Sequence, residues 1–461
     1  MYENKSHIFF LGIGGIGMSA IARYFHSLGK KVTGYDKTPT PLTDELIHEG
    51  IPVHFTDDMS KVDAFVSNPS NKASVLIVYT PAVPSDHSEL NFFKDNGYEV
   101  KKRSEVLGQI TRSSFTIGVA GTHGKTTTSS MIAHILKSAG LNCTAFLGGI
   151  TKNYQTNLLL GGAEGKKYTV VEADEYDRSF LALYPDLAVI TSMDADHLDI
   201  YGDHKYMIES YRLFAGQIKE GGLLIHKTGL PLTDLKVDKK NYSLEKGSDY
   251  YPSNIHIANH RYTFDWNNGK ESLEKLTSDM PGTHNVENAV AAIAIARKVG
   301  VSDEQIGKAL STYSGVKRRF DYQVRNDKFV YIDDYAHHPE ELRACIASVK
   351  ELYPGKKVTG IFQPHLFTRT RDFAEGFAKS LSMLDCLILL DIYPAREKPI
   401  PGVTSEIIYK NVTAEKVMCS KENALSVLKE HLNEVVLTLG AGDIDQLVEP
   451  VKNFLLQKSQ S

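Results

Sequence analysis

Short apolar runs that stop abruptly at glycine or acidic residues recur along the chain, and between them apolar positions return at helical spacing. Residues 7–13, 31–35 and 75–79 read as buried strands, as do 114–119, 168–171 and 187–192, and later 329–332, 357–362, 386–390 and 435–439. The short run Ala64, Phe65, Val66 reads as a further strand. Helical spacing predicts helices over 18–28, over 129–140 (Met131, Ile132, Ile135, Leu136) and over 285–299, the last so rich in alanine that it should be buried. Strands alternating with helices imply mostly parallel sheets. From Leu223 to Phe264 the rhythm becomes β-like, with turns at Asn241, Asp249 and Asn267. The pattern divides into three α/β segments, 1–112, 113–315 and 316–461, and residues 457–461 should fray.

A length of 461 residues agrees with about three domains. The chain carries 52 basic and 56 acidic residues, a net charge of −4, which gives no sign of nucleic-acid affinity. No apolar run approaches the ~18 residues of a membrane span. Residues 1–6 lead straight into a strand, without the apolar core of a secretory signal. Cys143, Cys345, Cys386 and Cys419 are scattered, so neither a disulfide framework nor a Cys-x-x-Cys zinc site is suggested. A cytoplasmic, small-molecule enzyme is the expectation.

The chemistry concentrates where strands end. Gly118 to Thr128 follows one strand and opens a helix, and it contains Gly121, Thr122, His123, Gly124, Lys125, Thr126 and Thr127. Glycines let backbone amides close on phosphate oxygens, the helix N-terminus adds positive potential, Lys125 reaches the β- and γ-phosphates, and the Thr126 hydroxyl suits Mg²⁺. The common phosphate-loop pattern puts a glycine where Val119 stands, so this is a variant loop. Two acidic clusters follow two strands: Glu172, Asp174, Glu175 and Asp177, then Asp194, Asp196, His197 and Asp199. Hard oxygen donors beside a phosphate loop suit Mg²⁺, with Mn²⁺ an alternative, and His197 points to a second divalent ion or to phosphate. The first segment has its own glycine-rich turn, Gly12 to Ser19 (Gly14, Gly15, Ile16, Gly17, Met18), with Asp36 closing the next strand. That βαβ start suits a dinucleotide or a nucleotide sugar. His284 and Asn288 lie one helical turn apart, Asn288 fitting an adenine edge or a helix cap. In the third segment Lys317, Arg318 and Arg319 form a basic turn that either meets phosphates or is solvated. Asp333 to Pro339 and Gln363 to Asp372 follow strands, and Arg369 and Arg371 suit carboxylate or phosphate recognition.

Taken together, Gly121 to Thr127, Glu172 to Glu175, Asp196 with His197 and Asp199, His284 with Asn285 and Asn288, and Arg318 to Phe320 resemble the Mur ligases in order and spacing, over essentially the whole chain. Gly12 to Ser19, Asp333 to Pro339, Phe362 to His365, Thr368 to Asp372, Ile400 to Gly402 and Gly440 to Asp443 are most similar to the alanine-adding branch. The resemblance implies a Rossmann-like N-terminal domain for the UDP-sugar, a central P-loop-type ATPase domain with a mostly parallel sheet, and a Rossmann-like C-terminal domain for the amino acid. It implies ATP-dependent ligation of L-alanine to UDP-N-acetylmuramate through an acyl phosphate, by a monomer or homodimer. By position it implies catalytic roles for Lys125, Glu172, His197 and Arg319, with metal at Thr126, Glu172 and His197. ATP would meet Gly121 to Thr127, His284, Asn288, Arg319 and Asp334. The UDP-sugar would meet Gly14 to Ser19, Asp36, His123 and Asn157, and the amino acid Tyr335, His337, His338, Arg369 and Arg371. Ser210 stands four residues after Tyr206, where many Mur ligases carry a carbamylated lysine that the alanine-adding branch also lacks. Tyr176 and Ala336 resemble the recycling branch, which takes a tripeptide, and Leu366 stands where the alanine adder commonly has arginine. An NAD-dependent oxidoreductase leaves Lys125 without a role, and a nucleotide switch needs no sugar.

Overall fold

The computed structural model describes residues 2–460 except Ala163, His197, Asn259 and Arg396, and of Leu198 and Asp199 it describes the backbone only. The chain resolves into two compact units. One comprises Met1–Pro252, Trp266–Leu273 and Asn288–Leu310, the other Ser253–Asp265, Glu274–Glu287 and Ser311–Ser461.

The first unit contains two sheets. Strands β1 (His7–Leu11), β2 (Lys31–Tyr35), β3 (Val53–His54), β4 (Val75–Tyr79) and β5 (Glu99–Lys102) form an all-parallel sheet in the order β3-β2-β1-β4-β5. Strand order reverses between β1 and β4, so ligands belong at their carboxyl ends. Strands β6 (Phe115–Ala120), β7 (Cys143–Phe146), β8 (Leu158–Leu159), β9 (Tyr168–Glu172), β10 (Leu187–Ile190), β11 (Leu223–Lys227) and β12 (Lys239–Tyr242) form a second sheet, β12-β11-β10-β6-β9-β7-β8. Only β8 runs antiparallel to its neighbour, as a short hairpin on β7. The central strands are buried on both faces, which is why they read as unbroken apolar runs rather than alternating ones.

Strands β13 (Tyr251–Ala258), β14 (Arg261–Asn267) and β15 (Ser272–Ser278) make a small sheet, most of whose residues fall in the second unit. The β-like stretch 223–264 splits between β11 and β12 of the second sheet and β13 and β14 here, and the turns expected at Asn241 and Asn267 lie within β12 and at the end of β14. That unit's main sheet comprises β16 (Asp321–Arg325), β17 (Val330–Asp334), β18 (Val358–Phe362), β19 (Cys386–Leu389), β20 (Glu415–Met418) and β21 (Val435–Leu439), ordered β16-β17-β21-β18-β19-β20. It is parallel except for β16.

Four local expectations change. Ala64–Ser67 is a helical turn rather than a strand, because the Asp63 carboxylate accepts hydrogen bonds from the amides of Phe65 and Val66 and caps it. The first helix begins at Ile16, ahead of Met18, and the phosphate-loop helix begins at Lys125, ahead of Ser129; glycine turns, not apolar spacing, set both starts. The buried alanine-rich helix runs Thr283–Lys298. The last helix holds through Gln460: Leu455 is buried and Asn326 Nδ2 donates to Ser459 Oγ at 3.0 Å.

One buried polar knot ties the first sheet to the second. Arg23, on the Ile16–Ser27 helix, donates through Nε and Nη2 to Glu49 and through Nη2 to Glu45. Its Nη1 donates to Asn157 Oδ1 at 2.6 Å, and Asn157 Nδ2 donates to Ile16 O at 2.5 Å and Ser19 Oγ at 2.9 Å. Asn157 is fully buried. Asn157→Ala strands an arginine donor and a carbonyl away from water, so it should cost roughly 2–4 kcal/mol. Urea or thermal unfolding measures this, and an unchanged midpoint would mean that the knot contributes nothing to the folded state.

Candidate active site

Gly124 is the N-cap of the Lys125–Ser138 helix and sits in the left-handed region at φ 81°. A Cβ there would stand 2.8 Å from Asn288 Oδ1 as well as being strained, so glycine is required on two counts. The turn places the first amides of the helix at the carboxyl end of β6, an anion seat. It is pinned from β10 and just beyond: His123 N donates to Ser192 Oγ at 2.8 Å, His123 O accepts from Thr191 Oγ1, and Thr122 Oγ1 donates to Asp194 O at 3.1 Å. The His123 ring lies 3.6 Å from Asp194. Thr128 Oγ1 donates to Asn288 Oδ1 at 3.2 Å, which brings Asn288 beside the loop.

Lys125 Nζ donates to Gly121 O at 2.6 Å, to Thr122 O at 3.3 Å and to Glu175 Oε1 at 2.8 Å. Burial opposes its charge, but Glu175, Glu172 and Asp174 outweigh that, and the ammonium is held above the ordinary lysine range. Thr126 Oγ1 donates to Glu172 Oε1 at 3.0 Å, and Gly148 N donates to Glu172 Oε2 at 3.0 Å. A side chain on Gly148 would collide with that carboxylate, since a Cβ would come within 2.2 Å of Oε2. A hydroxyl and a carboxylate oxygen meeting beside the anion seat form a hard-oxygen pair that fits Mg²⁺.

The first acidic cluster is not one site. Asp174 pairs with Arg103 at 3.2 Å and Asp177 with Lys102 at 3.2 Å, both cations from the first segment, while Glu175 takes Lys125. Glu172 alone is aimed at Thr126. In the second cluster Asp194 lies by His123 and Asp196 is buried. His197 and the Asp199 side chain lie outside the described residues.

The glycine-rich turn of the first segment faces the same region. A cavity of about 270 Å³ is lined by Gly15, Ile16, Gly17 and Met18 with Thr80, Arg103, Gly148, Glu172, Asp174 and Tyr176 among others. No side chain caps the helix at Gly15, so its leading amides are available to an anion. Three residues expected at the sugar are engaged by the protein itself. The Asp36 carboxylate accepts from Gly14 N at 2.7 Å and so shapes the turn. Asn157 lies beneath the turn, in the arginine knot described above. Ser19 is likewise buried, its hydroxyl donating to Ile16 O.

In the second unit Asp334 ends β17 and is buried. It accepts from Phe320 N and Ala336 N, both at 2.7 Å. Burial pushes its carboxyl up to about 6, against the pull of Arg319 and the two amides. The basic turn is strained, with Arg318 at φ 60° and Phe320 at φ 44°. Arg318 donates to Asp333 and Gly440 O, whereas Arg319 leans 3.5 Å from Glu341 with its guanidinium over the Tyr335 ring. The His337 ring sits 2.9 Å from Tyr335 O and 3.2 Å from Glu341. His338 caps the Pro339–Leu352 helix and packs edge-on against Phe373. His284 meets Ser348 Oγ at 3.5 Å.

Arg369 and Arg371 point to different sides, because residues 367–372 are helical and positions two apart do not share a face. Arg369 is buried, 3.4 Å from His365, whereas Arg371 is exposed and bound to its neighbour Asp372. Several site-forming residues gave no sequence signal as such: Arg103, Arg23, Ser192 and Gly148. A lone arginine or serine has no periodicity, and only the fold tells which sheet end it reaches. Among the described residues no helix is long and apolar enough to cross a membrane.

Three family models match in succession: the Mur ligase family catalytic domain over 7–115, the Mur ligase middle domain over 119–296, and the Mur ligase glutamate ligase domain over 318–442. The UDP-N-acetylmuramate–L-alanine ligase of Parabacteroides distasonis is 52% identical over 455 residues, covering 98% of this chain and 97% of that one. Its counterpart in Flavobacterium psychrophilum is 50% identical, covering 99% and 100%. The solved UDP-N-acetylmuramate–alanine ligase of Thermotoga maritima superposes with a TM-score of 0.81 at 27% identity, covering 98% of this chain and 99% of that one. A murein peptide ligase from Psychrobacter arcticus shares the fold, with a TM-score of 0.70 at 23% identity. Half of its residues and the whole succession of its segments are held in common with such enzymes: the chain belongs to the Mur ligase family.

Proposed function

We propose that this protein joins L-alanine to the lactyl carboxylate of UDP-N-acetylmuramate, converting ATP to ADP and phosphate, as a step of peptidoglycan precursor synthesis. The observation that carries the reading is full-length identity of about half to ligases of that name, together with a phosphate loop whose lysine and threonine each face a different carboxylate. The domains we assign are 1–112 for the UDP-sugar, 113–315 for ATP and 316–461 for the amino acid.

A carboxylate resists attack by an amine because its leaving group would be oxide. Transfer of the γ-phosphoryl group to one carboxylate oxygen gives an acyl phosphate; the alanine amine then attacks the carbonyl carbon and phosphate leaves with the C–O bond electrons. In this scheme the amides of Gly121 to Thr127 seat the phosphates, and Lys125 turns from Glu175 to the incoming charge. Thr126 and Glu172 would hold Mg²⁺, with His197 a third candidate; the bound ion neutralises charge on the phosphate oxygens. Arg319 steadies the transferring group, Asn288 and His284 serve the adenine side, and Asp334 the ribose. Gly14 to Met18 present helix amides to the diphosphate, Asp36, Asn157 and Ser19 hold that turn in shape, and His123 faces the muramoyl side. Tyr335, His337, His338 and Arg369 receive alanine. Exclusion of water protects the acyl phosphate from hydrolysis.

Phosphate release measured with ATP, Mg²⁺ and UDP-N-acetylmuramate should require L-alanine and give a product heavier by one alanyl residue. Release only with L-Ala-γ-D-Glu-meso-diaminopimelate would instead assign the recycling reaction, with Tyr176 and Ala336 as its markers. Lys125→Ala should lower turnover by at least ~10³-fold with UDP-sugar affinity retained, since its charge acts on phosphate; sugar binding lost from a folded variant would contradict the domain assignment. For the amino-acid end, Arg369→Ala should raise the KM for L-alanine by about 10–100-fold, whereas Arg371→Ala should stay within about twofold. Initial rates against alanine concentration separate the two, and equal effects would mean that both arginines face the substrate.

A further inference from the structure

The second unit's parallel sheet has two ends, and Asp334, Gln363 and Gly440 all lie at its carboxyl end. At the amino end a different group of side chains converges. Thr359, Cys386 and Glu415 stand in one register row across β18, β19 and β20. His431 follows the Ala424–Glu430 helix, and its carbonyl accepts from Thr359 Oγ1 at 2.7 Å, while its amide donates back to Val427 and Leu428. The row therefore fixes the backbone of all three potential ligands. His431 Nδ1 is 2.9 Å from Glu415 Oε1, and the Cys386 sulfur, the imidazole nitrogen and the carboxylate oxygen all lie within 4.8 Å of one another.

We propose that Cys386, Glu415 and His431 form a binding site for a thiophilic divalent cation of the zinc class, separate from the ligase centre. Sulfur, imidazole and carboxylate are the donors such an ion selects, and water supplies the fourth position of a tetrahedron. Ligand distances of about 2.0–2.3 Å require the atoms to draw in by about an ångström, which the exposed Glu415 side chain can supply. Binding is a proton exchange without redox change: the S–H bond breaks, sulfur bonds to the cation, and the proton leaves to solvent. Burial, with Glu415 adding to it, pushes the Cys386 thiol up to about 11, so the ion replaces a proton on a neutral thiol. An ion there would pin edge strand β20 to β19 and to the helix end at His431.

The test is titration of the full chain, stripped with a chelator, with Cd²⁺ and then with Zn²⁺ against a chromophoric chelator. One equivalent should bind with the ultraviolet thiolate-to-cadmium band. Cys386→Ser should abolish the band, Cys419→Ser should keep it, and the surface changes His431→Gln and Glu415→Gln should each weaken binding by at least about tenfold. A band that survives Cys386→Ser, affinity unmoved by both surface changes, or no bound equivalent would overturn the site.

Discussion

A site built to receive phosphates must fold while they are absent, and the Lys125–Glu175 pair is how this chain meets that constraint. Helix amides, Gly124 and an ammonium whose side chain is only 14% exposed gather positive potential in one place. An unpaired buried charge of that kind would cost several kcal/mol. Glu175, almost wholly buried, neutralises it, and two loop carbonyls take the remaining protons. The loop is thereby shaped in advance, and in the proposed reaction nucleotide would enter by exchanging one anion for another. The distribution of the neighbouring acids follows. With Lys125 held by Glu175, Arg103 by Asp174 and Lys102 by Asp177, the carboxylate facing Thr126 is Glu172. The segment carrying these acids bends through Asp177 and Arg178 at positive φ, a strain of roughly 1–3 kcal/mol per residue.

The same region shows why the glycine-rich turn of the first sheet and the phosphate loop of the second form one working surface. Arg103 lies over Gly17 and grips Asp174, while the Arg23–Asn157 knot fastens the beginning of that helix to the second sheet. These contacts leave little freedom between the anion seat at Gly15 and the Glu172–Thr126 pair. Two reactants held in such a frame need less ordering when they react. Asp36 and Asn157 hold the shape of the turn.

How much of this was legible in the sequence depended on whether the determinant was local. The phosphate loop, the sheet-forming runs and the buried alanine-rich helix are written in neighbouring residues and were readable. Helix starts at Ile16 and Lys125 were missed because a glycine turn sets them, and Ala64–Val66 was misread because the cap at Asp63 outweighed its apolar character. Asp36 reads from spacing as part of a dinucleotide or nucleotide-sugar turn, and in the fold its carboxylate accepts from Gly14 N. Arg369 and Arg371 looked paired because a sequence row has no handedness; six helical residues turned one inward and the other to solvent. The partners of Asp174, Glu175 and Asp177 were unreadable, since each is chosen by a cation 50 or more residues away.

Asp334 shows the opposing demand that a functional end of a sheet places on stability. Its carboxyl stands near 6 rather than 3.8 because burial outweighs Arg319 and two amide donors. Between those values the native state holds its proton more tightly than the unfolded chain does, so this group's contribution to stability is full below about pH 4 and declines as pH rises through about 6. At neutral pH the carboxylate is ionised at a cost on the order of 3 kcal/mol. An asparagine would escape that charge, but it has a single oxygen acceptor for two amides that point at this position. The strained Arg318–Phe320 turn delivers one of those amides and, in the same bend, sends Arg319 over Tyr335. The fold thus accepts a buried charge and backbone strain together at one strand end, and the compensating burial lies in the apolar sheet behind it, where Tyr331, Ile361 and Val436 are fully enclosed.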